Sequence, residues 1–205
     1  MRKHKKNEAF VSGRVASKYA YSHEVYGEKF YLFDLEVARM SDTVDVIPVM
    51  ISERLTDVTA DNVDLYVRIN GQFRSFNKRE GEKSRLFLCF FAMNIETKEP
   101  NTLDDNTIFL DGYVCKQPIY RKTPLGREIA DLLLAVNRPY GHSDYIPCVL
   151  WGRNAKFAEG FQIGERICVE GRIQSREYQK KISETEFESR IAYEVSVAKL
   201  EVLEE

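Results

Sequence analysis

The sequence lacks any long apolar run. Its longest, 86–93 and 132–136, fall far short of the roughly 20 residues that span a bilayer, so no membrane-spanning segment is expected. The basic start MRKHKK passes directly into Asn7 and Glu8, where a secretory leader needs about 7–15 apolar residues. Cysteine is scarce: Cys89, Cys115, Cys148 and Cys168 lie 20 or more positions apart, with no CxxC pair. That spacing excludes a zinc ribbon and a small disulfide framework, and it points to reduced, buried thiols in a cytoplasmic chain. His4, His23 and His142 are scattered, and neither His4 nor His142 has Cys or Asp/Glu nearby at metal-ligand spacing. No GxxxxGK[ST] loop is present, and paired acids such as Asp104 and Asp105 sit in a polar stretch. With no convergent set of reactive groups, neither an enzyme, a cofactor nor a metal site is expected.

An excess of one charge is also missing. Thirty Lys and Arg face 32 Asp and Glu, a formal net charge of −2. The whole molecule therefore has no global attraction for nucleic acid or anionic membrane, and any such binding must come from a local patch. The basic run 2–6 reads as a solvated terminus. What is present is enough apolar material for a core: 43% hydrophobic residues in a chain of 205 is the composition of a folded protein.

The chain contains itself twice. Residues 7–54 align on 106–153 without a gap, at an offset of 99. Asn7-Glu-Ala-Phe-Val-Ser-Gly13 falls on Asn106-Thr-Ile-Phe-Leu-Asp-Gly112, and Asp45-Val-Ile-Pro-Val49 on Asp144-Tyr-Ile-Pro-Cys148. Further on, Val67–Phe73 matches Ile167–Ile173 at an offset of 100, and 86–96 matches 191–201 at 105. Two domains follow, 1–96 and 106–205, joined by the polar linker 97–105. Alternation predicts strands near 107–115, 128–138, 144–151, 165–176 and 190–202, with a hairpin turn at Gly126. A short helix is expected over 153–161, and its counterpart over 52–62. Five strands with a short helix between the third and fourth is the order of an OB-fold, so the fold class is all-β with two tandem five-stranded barrels.

In the third strand of the second copy, Ile146, Cys148 and Leu150 alternate with Tyr145, Pro147, Val149 and Trp151. The first set suits a barrel interior; the second places two aromatics on the outer face. In the fourth strand Ile167, Val169, Gly171 and Ile173 face inward, and Arg172, Gln174, Arg176 and Tyr178 outward. Exposed rings beside cations have a use in single-stranded nucleic-acid binding, where bases stack on the rings and Arg or Lys track the phosphates. Arg121, Lys122, Arg138, Arg153, Lys180 and Lys181 add cations in the connecting segments. A partner-protein interface would use the same rings, and alternation alone leaves both readings open.

Four strings carry a resemblance: Tyr120-Arg-Lys-Thr-Pro-Leu-Gly126, Leu133-Leu-Ala-Val-Asn-Arg-Pro139, Asp144-Tyr-Ile-Pro-Cys-Val-Leu-Trp-Gly-Arg153 and Val169-Glu-Gly-Arg-Ile-Gln-Ser-Arg-Glu-Tyr178. Together they make residues 106–204 similar to the bacterial single-stranded DNA-binding protein family. The resemblance implies an OB-fold that wraps single-stranded DNA in replication, recombination and repair, and usually assembles four OB domains. Two chains would then form a homodimer. It also implies that Tyr140, Tyr145, Trp151 and Tyr178 stack on bases. RNA remains a second candidate ligand, since stacking does not distinguish the sugars.

Three departures qualify the resemblance. The first copy has Ser41, Val46, Ser52 and Lys78 at the four aromatic positions, so it is expected to have lost the stacking platform. Arg68, Arg74, Phe76, Lys78 and Arg79 leave it a secondary basic face, for DNA or for assembly. The chain ends Glu201-Val-Leu-Glu-Glu205, without the acidic, Phe-terminated tail by which such proteins recruit replication enzymes. Finally, Glu184, Glu186 and Glu188 make the last hairpin acidic, which counts against tight wrapping.

Overall fold

The structure is a computed structural model that describes residues 6–41, 43–80, 83–100, 104–183 and 186–203, with backbone alone at 78–80 and 83–84. The first copy contains β1 (Asn7–Val15), β2 (Ala20–Val25), β3 (Glu28–Ala38), β4 (Val44–Ser52), β5 (Tyr66–Glu80) and β6 (Lys83–Thr97). The second contains β7 (Asn106–Val114), β8 (Ile119–Lys122), β9 (Glu128–Asn137), β10 (Ser143–Trp151), β11 (Arg166–Lys181) and β12 (Phe187–Val202), with α1 (Arg153–Ala158) between β10 and β11. Each copy closes a five-stranded barrel through the same pairings. In the first, β1 meets both β3 and β5, and β4 runs parallel to β6; in the second, β7 meets β9 and β11, and β10 runs parallel to β12. The parallel registers are equivalent, Val49 beside Phe90 and Cys148 beside Val195. These are OB-fold barrels. The short strands β2 and β8 are arms on β3 and β9, and the Gly126 turn joins β8 to β9 rather than to the first barrel strand.

Period-2 alternation builds the cores. Leu35, Ile47, Ile51, Ile69 and Phe73 fill one barrel, and Leu110, Leu134, Ile146, Leu150 and Ile167 the other, all fully buried. Each such side chain contributes about 1.5–3 kcal/mol of burial free energy. The outward assignments hold less uniformly. Val149 and Gln174, expected to face water, are only 4% and 8% exposed. Val149 lies mid-sheet between β9 and β12, and Gln174 donates to Glu194 at 2.7 Å.

The helix expected over 52–62 does not form; those residues make turns. The cause is local hydrogen bonding. Thr59 donates to Asp57 Oδ1 through its amide (2.9 Å) and its hydroxyl (2.7 Å), while Asn62 Nδ2 donates to the carbonyls of Asp57 and Ala60. Short polar side chains that satisfy nearby backbone groups compete with the helical ladder. The second copy has RNAKFA in its helix, free of such groups except Asn154, whose Nδ2 donates away to the Ala198 carbonyl.

The two barrels share one sheet. β1 pairs antiparallel with β7, Asn7 opposite Leu110 and Val11 opposite Asn106, giving a 12-stranded order β2-β3-β4-β6-β5-β1-β7-β11-β12-β10-β9-β8. Two reciprocal clamps reinforce this seam. Fully buried Asp45 accepts from Arg39 Nε (2.7 Å) and Nη2 (2.6 Å), and from the Ser175 amide of the second copy (2.7 Å). Its counterpart Asp144 accepts from the Ser75 amide of the first copy at 2.7 Å and faces Arg138. Each Ser hydroxyl then accepts from the residue after the Asp: Val46 N–H to Ser175 Oγ (3.2 Å) and Tyr145 N–H to Ser75 Oγ (2.7 Å).

Candidate nucleic-acid interface

Strand β10 carries the two central rings. Tyr145 and Trp151 are 43% and 41% exposed on the outer face of the second barrel. Six residues of strand separate them, about 20 Å at 3.3 Å per residue. Register places cations on the same face. Arg172 on β11 faces Ser196 on β12, and Ser196 lies beside Val149 on β10. Trp151 faces Ile129 on β9, which faces Arg121 on β8. Tyr140 stands on a one-turn 3-10 segment, Pro139–Gly141, in the left-handed conformation with φ 65°, its side chain fully in solvent. Tyr178 is half-buried farther out on β11, its ring 5.9 Å from the Arg176 guanidinium.

The cations named from the sequence divide into two groups. Lys122, Arg153, Arg172, Lys180 and Lys181 are exposed and make no ion pair among the described residues. Arg121 is spent on Asp131 (3.0 Å), and Arg176 lies 3.7 Å from Glu194. Arg138 is turned into the seam. It sits 3.2 Å from Asp144 without hydrogen-bond alignment, leaving Arg138 Nε and Asp144 Oδ2 buried without a directed partner, and it lies 5.5 Å over the Phe76 ring. Burial pushes the Asp144 carboxyl above its ordinary value.

In the first copy Arg68 pairs with Asp105 at 2.9 Å, whereas Arg74 has no carboxylate partner among the described residues. Its guanidinium lies 3.8 Å over the Phe91 ring and donates twice to Gln72 Oε1, at 3.0 and 2.7 Å. Burial, helped by the nearby Arg138, lowers its pKa from the ordinary arginine value. The side chains of Lys78 and Arg79 lie outside the described residues, as does Glu184; Glu188 is neutralised by Arg190 at 2.6 Å.

Tyr178 and Lys180 also line a feature that strand alternation does not reveal. A groove of about 660 Å³ runs between the two long hairpins, walled by Arg85 and Phe87 of the first copy and by Ile191 and Tyr193 of the second, with Pro147 beneath. Arg85 and Arg190, equivalent in the repeat, both face it. The only signal for it in the sequence is the length of the two strand pairs.

Known proteins resemble this chain in sequence and in fold. A family model described as "Single-strand binding protein family" matches residues 105–203. The Single-stranded DNA-binding protein B of Bacillus subtilis is 35% identical over 83 residues, covering 37% of this chain and 74% of that protein. The Single-stranded DNA-binding protein 2 of Listeria innocua is 38% identical over 81 residues, 36% of this chain and 51% of the relative. The chain thus spans about half the length of most of the curated relatives it matches. Among solved structures, the wild-type single-stranded DNA binding protein of Thermus aquaticus superposes with a TM-score of 0.79 over 97% of this chain and 93% of that one, at 17% identity. That likeness covers both barrels and concerns the fold. Among the described residues no helix is long and apolar enough to cross a membrane.

Proposed function

The chain belongs to the single-strand binding protein family, and on that premise we propose that its second barrel binds single-stranded DNA without sequence preference, in replication, recombination or repair. The observation that carries this is the outer face of β10, where Tyr145 and Trp151 stand exposed, with Arg121 in the row of Trp151 and Arg172 in the row of Val149 between them. Tyr140 and Tyr178 extend the stacking surface at either side. Bases on four such rings would contribute about 4–12 kcal/mol before losses, at roughly 1–3 each. A micromolar dissociation constant needs about 8 kcal/mol, so micromolar binding at low salt follows. Lys122, Arg153, Arg172, Lys180 and Lys181 supply the phosphate contacts, for a single-strand salt slope of about −3.5. Arg138 is assigned to the seam instead.

The test uses the single tryptophan. Titration with an oligo(dT) of about 35 nucleotides at low salt is expected to quench Trp151 fluorescence, and added salt to restore it. An unquenched Trp151, together with unchanged mobility in a gel assay, would refute the reading and leave the rings to a protein interface. Poly(U) competing as well as poly(dT) would extend the ligand to RNA. We also propose a homodimer, since two barrels per chain then give the family's four; sedimentation at a single-chain mass would refute that part.

A further inference from the structure

Position by position the first copy lacks the stacking rings, yet its outer face is not bare. Ser52, the counterpart of Trp151, faces Phe30 on β3, and Phe30 in turn faces His23 on β2. Met50, two residues before Ser52, lies beside Phe91 on β6. Antiparallel partners share a face of the sheet, so Phe30, Phe91 and His23 occupy the same outer face that Trp151 occupies in the second copy. The rings form one continuous set. His23 stacks on Phe30 at 5.1 Å and 11° between planes, and Phe30 meets Phe91 at 5.9 Å. Arg74 closes the far end, 3.8 Å over Phe91.

Around the Trp151 row the two copies have exchanged positions. Where the first has Phe30 and Phe91 the second has Ile129 and Ser196; where the second has Trp151 the first has Ser52. The arginine moves by one strand repeat: Arg172 faces Ser196, and its counterpart Gln72 faces Phe91, whereas Arg74 corresponds to Gln174. Arg74 is the residue that points to a ligand. Its charge is partly buried and has no carboxylate within ion-pair distance among the described residues, Asp144 acting on it only at longer range, and its guanidinium is held by Gln72 and stacked on Phe91. A partly desolvated cation without a direct ion-pair partner is costly, and a fixed planar guanidinium can stack on a base or pair with a phosphate at its edge. Arg138 of the second copy, with the Asp144 carboxylate it faces, lies at the same seam, next to the Ser75 contact that holds the Tyr145 backbone.

We propose that the first copy carries a second stacking surface for single-stranded nucleic acid, made of His23, Phe30, Phe91 and Arg74, and that one strand runs from Trp151 and Tyr145 across the seam onto it. This rests on the single-strand reading of the second copy. The experiment compares oligo(dT) of about 10 and about 35 nucleotides, since a single OB barrel covers roughly 4–16. The chain carrying Phe30→Ala and Arg74→Gln is expected to bind the short oligonucleotide within about twofold of the parent. For the long one its affinity is expected to fall about tenfold or more, the loss of one stacked base, with a salt slope shallower by about 0.7 for one lost phosphate contact. A second reporter guards against misfolding of that variant: Phe30→Trp in a Trp151→Phe chain should show salt-reversible quenching by the long oligonucleotide. Equal affinity and slope for parent and variant, or an unquenched reporter at position 30 under saturation, would overturn the proposal while Trp151 quenching in the parent stands. Failure of Trp151 quenching in the parent would instead bring down the reading beneath it.

Discussion

Removing the Asp45 carboxylate measures what the seam is worth. Asp45 is fully buried, accepts two hydrogen bonds from Arg39 at 2.7 and 2.6 Å, and accepts the Ser175 amide at 2.7 Å and its hydroxyl at 3.2 Å. Arg39 keeps only 20% side-chain exposure and spends another donor on the Ser175 carbonyl. Asp45→Ala therefore strands a mostly buried guanidinium and a partly buried amide at once. Breaking such a pair from one side costs about 3–5 kcal/mol. At about 2–4 °C per kcal/mol for a chain of this size, the melting temperature should fall by about 6–20 °C. Urea unfolding followed by Trp151 fluorescence and circular dichroism reads the free energy directly. The double variant Arg39→Met, Asp45→Leu should recover part of the loss, because the charge disappears with its partner. About 1–3 kcal/mol should remain from the Ser175 amide left without an acceptor, and that remainder is the contribution made across the seam. An unfolding free energy for Asp45→Ala within about 1 kcal/mol of the parent would refute the assignment of this residue as a clamp.

Two further outcomes follow from the core. Burial pushes the Cys89 thiol up to about 12 and drives Cys148 the same way. The folded chain then holds protons that the unfolded chain releases above its ordinary thiol pKa of about 8.5. Stability should accordingly fall as pH rises from about 9 to 11, by up to about 1.4 kcal/mol per pH unit for each thiol, and less steeply in Cys89→Ala; a slope unchanged by that substitution would refute the account. At the β-bulge between Glu170 and Gly171, a Cβ on Gly171 would lie 2.2 Å from the Ser196 carbonyl oxygen. Gly171→Ala should lower unfolding free energy by about 2 kcal/mol or more in the same urea assay, and a neutral result would mean that β12 yields freely there.

The repeat, the barrel strands and their interior faces were legible in the sequence because period-2 alternation is written locally, as in Ile146, Cys148 and Leu150. What escaped was set by partners distant in the chain. Nothing near Asn7 or Leu110 marks the pairing of β1 with β7, since edge strands carry no signal for the neighbour they choose. Arg138 reads as a phosphate contact beside Tyr140, yet a buried carboxylate at Asp144 draws it into the seam. The turns at 52–62 were visible in principle, as Asp57, Thr59 and Asn62 are residues that bind their own backbone. Phe30 and Phe91 were missed because equivalence along the chain compares Ser52 with Trp151 alone. Only strand register shows that rings on the two neighbouring strands cover that serine.

The β1–β7 pairing has a consequence for what each half of the molecule can become. Two separate identical subunits meeting across such a joint would carry every mutation twice, so neither side could change without the other. Here the joint is closed within one chain by the short connection between Thr97 and Asn106. The halves meet at an effective concentration fixed by that connection and independent of dilution. The halves can therefore differ, with rings on the strands flanking β4 in one and on β10 in the other. If both surfaces take one strand, as proposed, they would meet it in a fixed order, giving it a direction that a symmetric pair of barrels lacks.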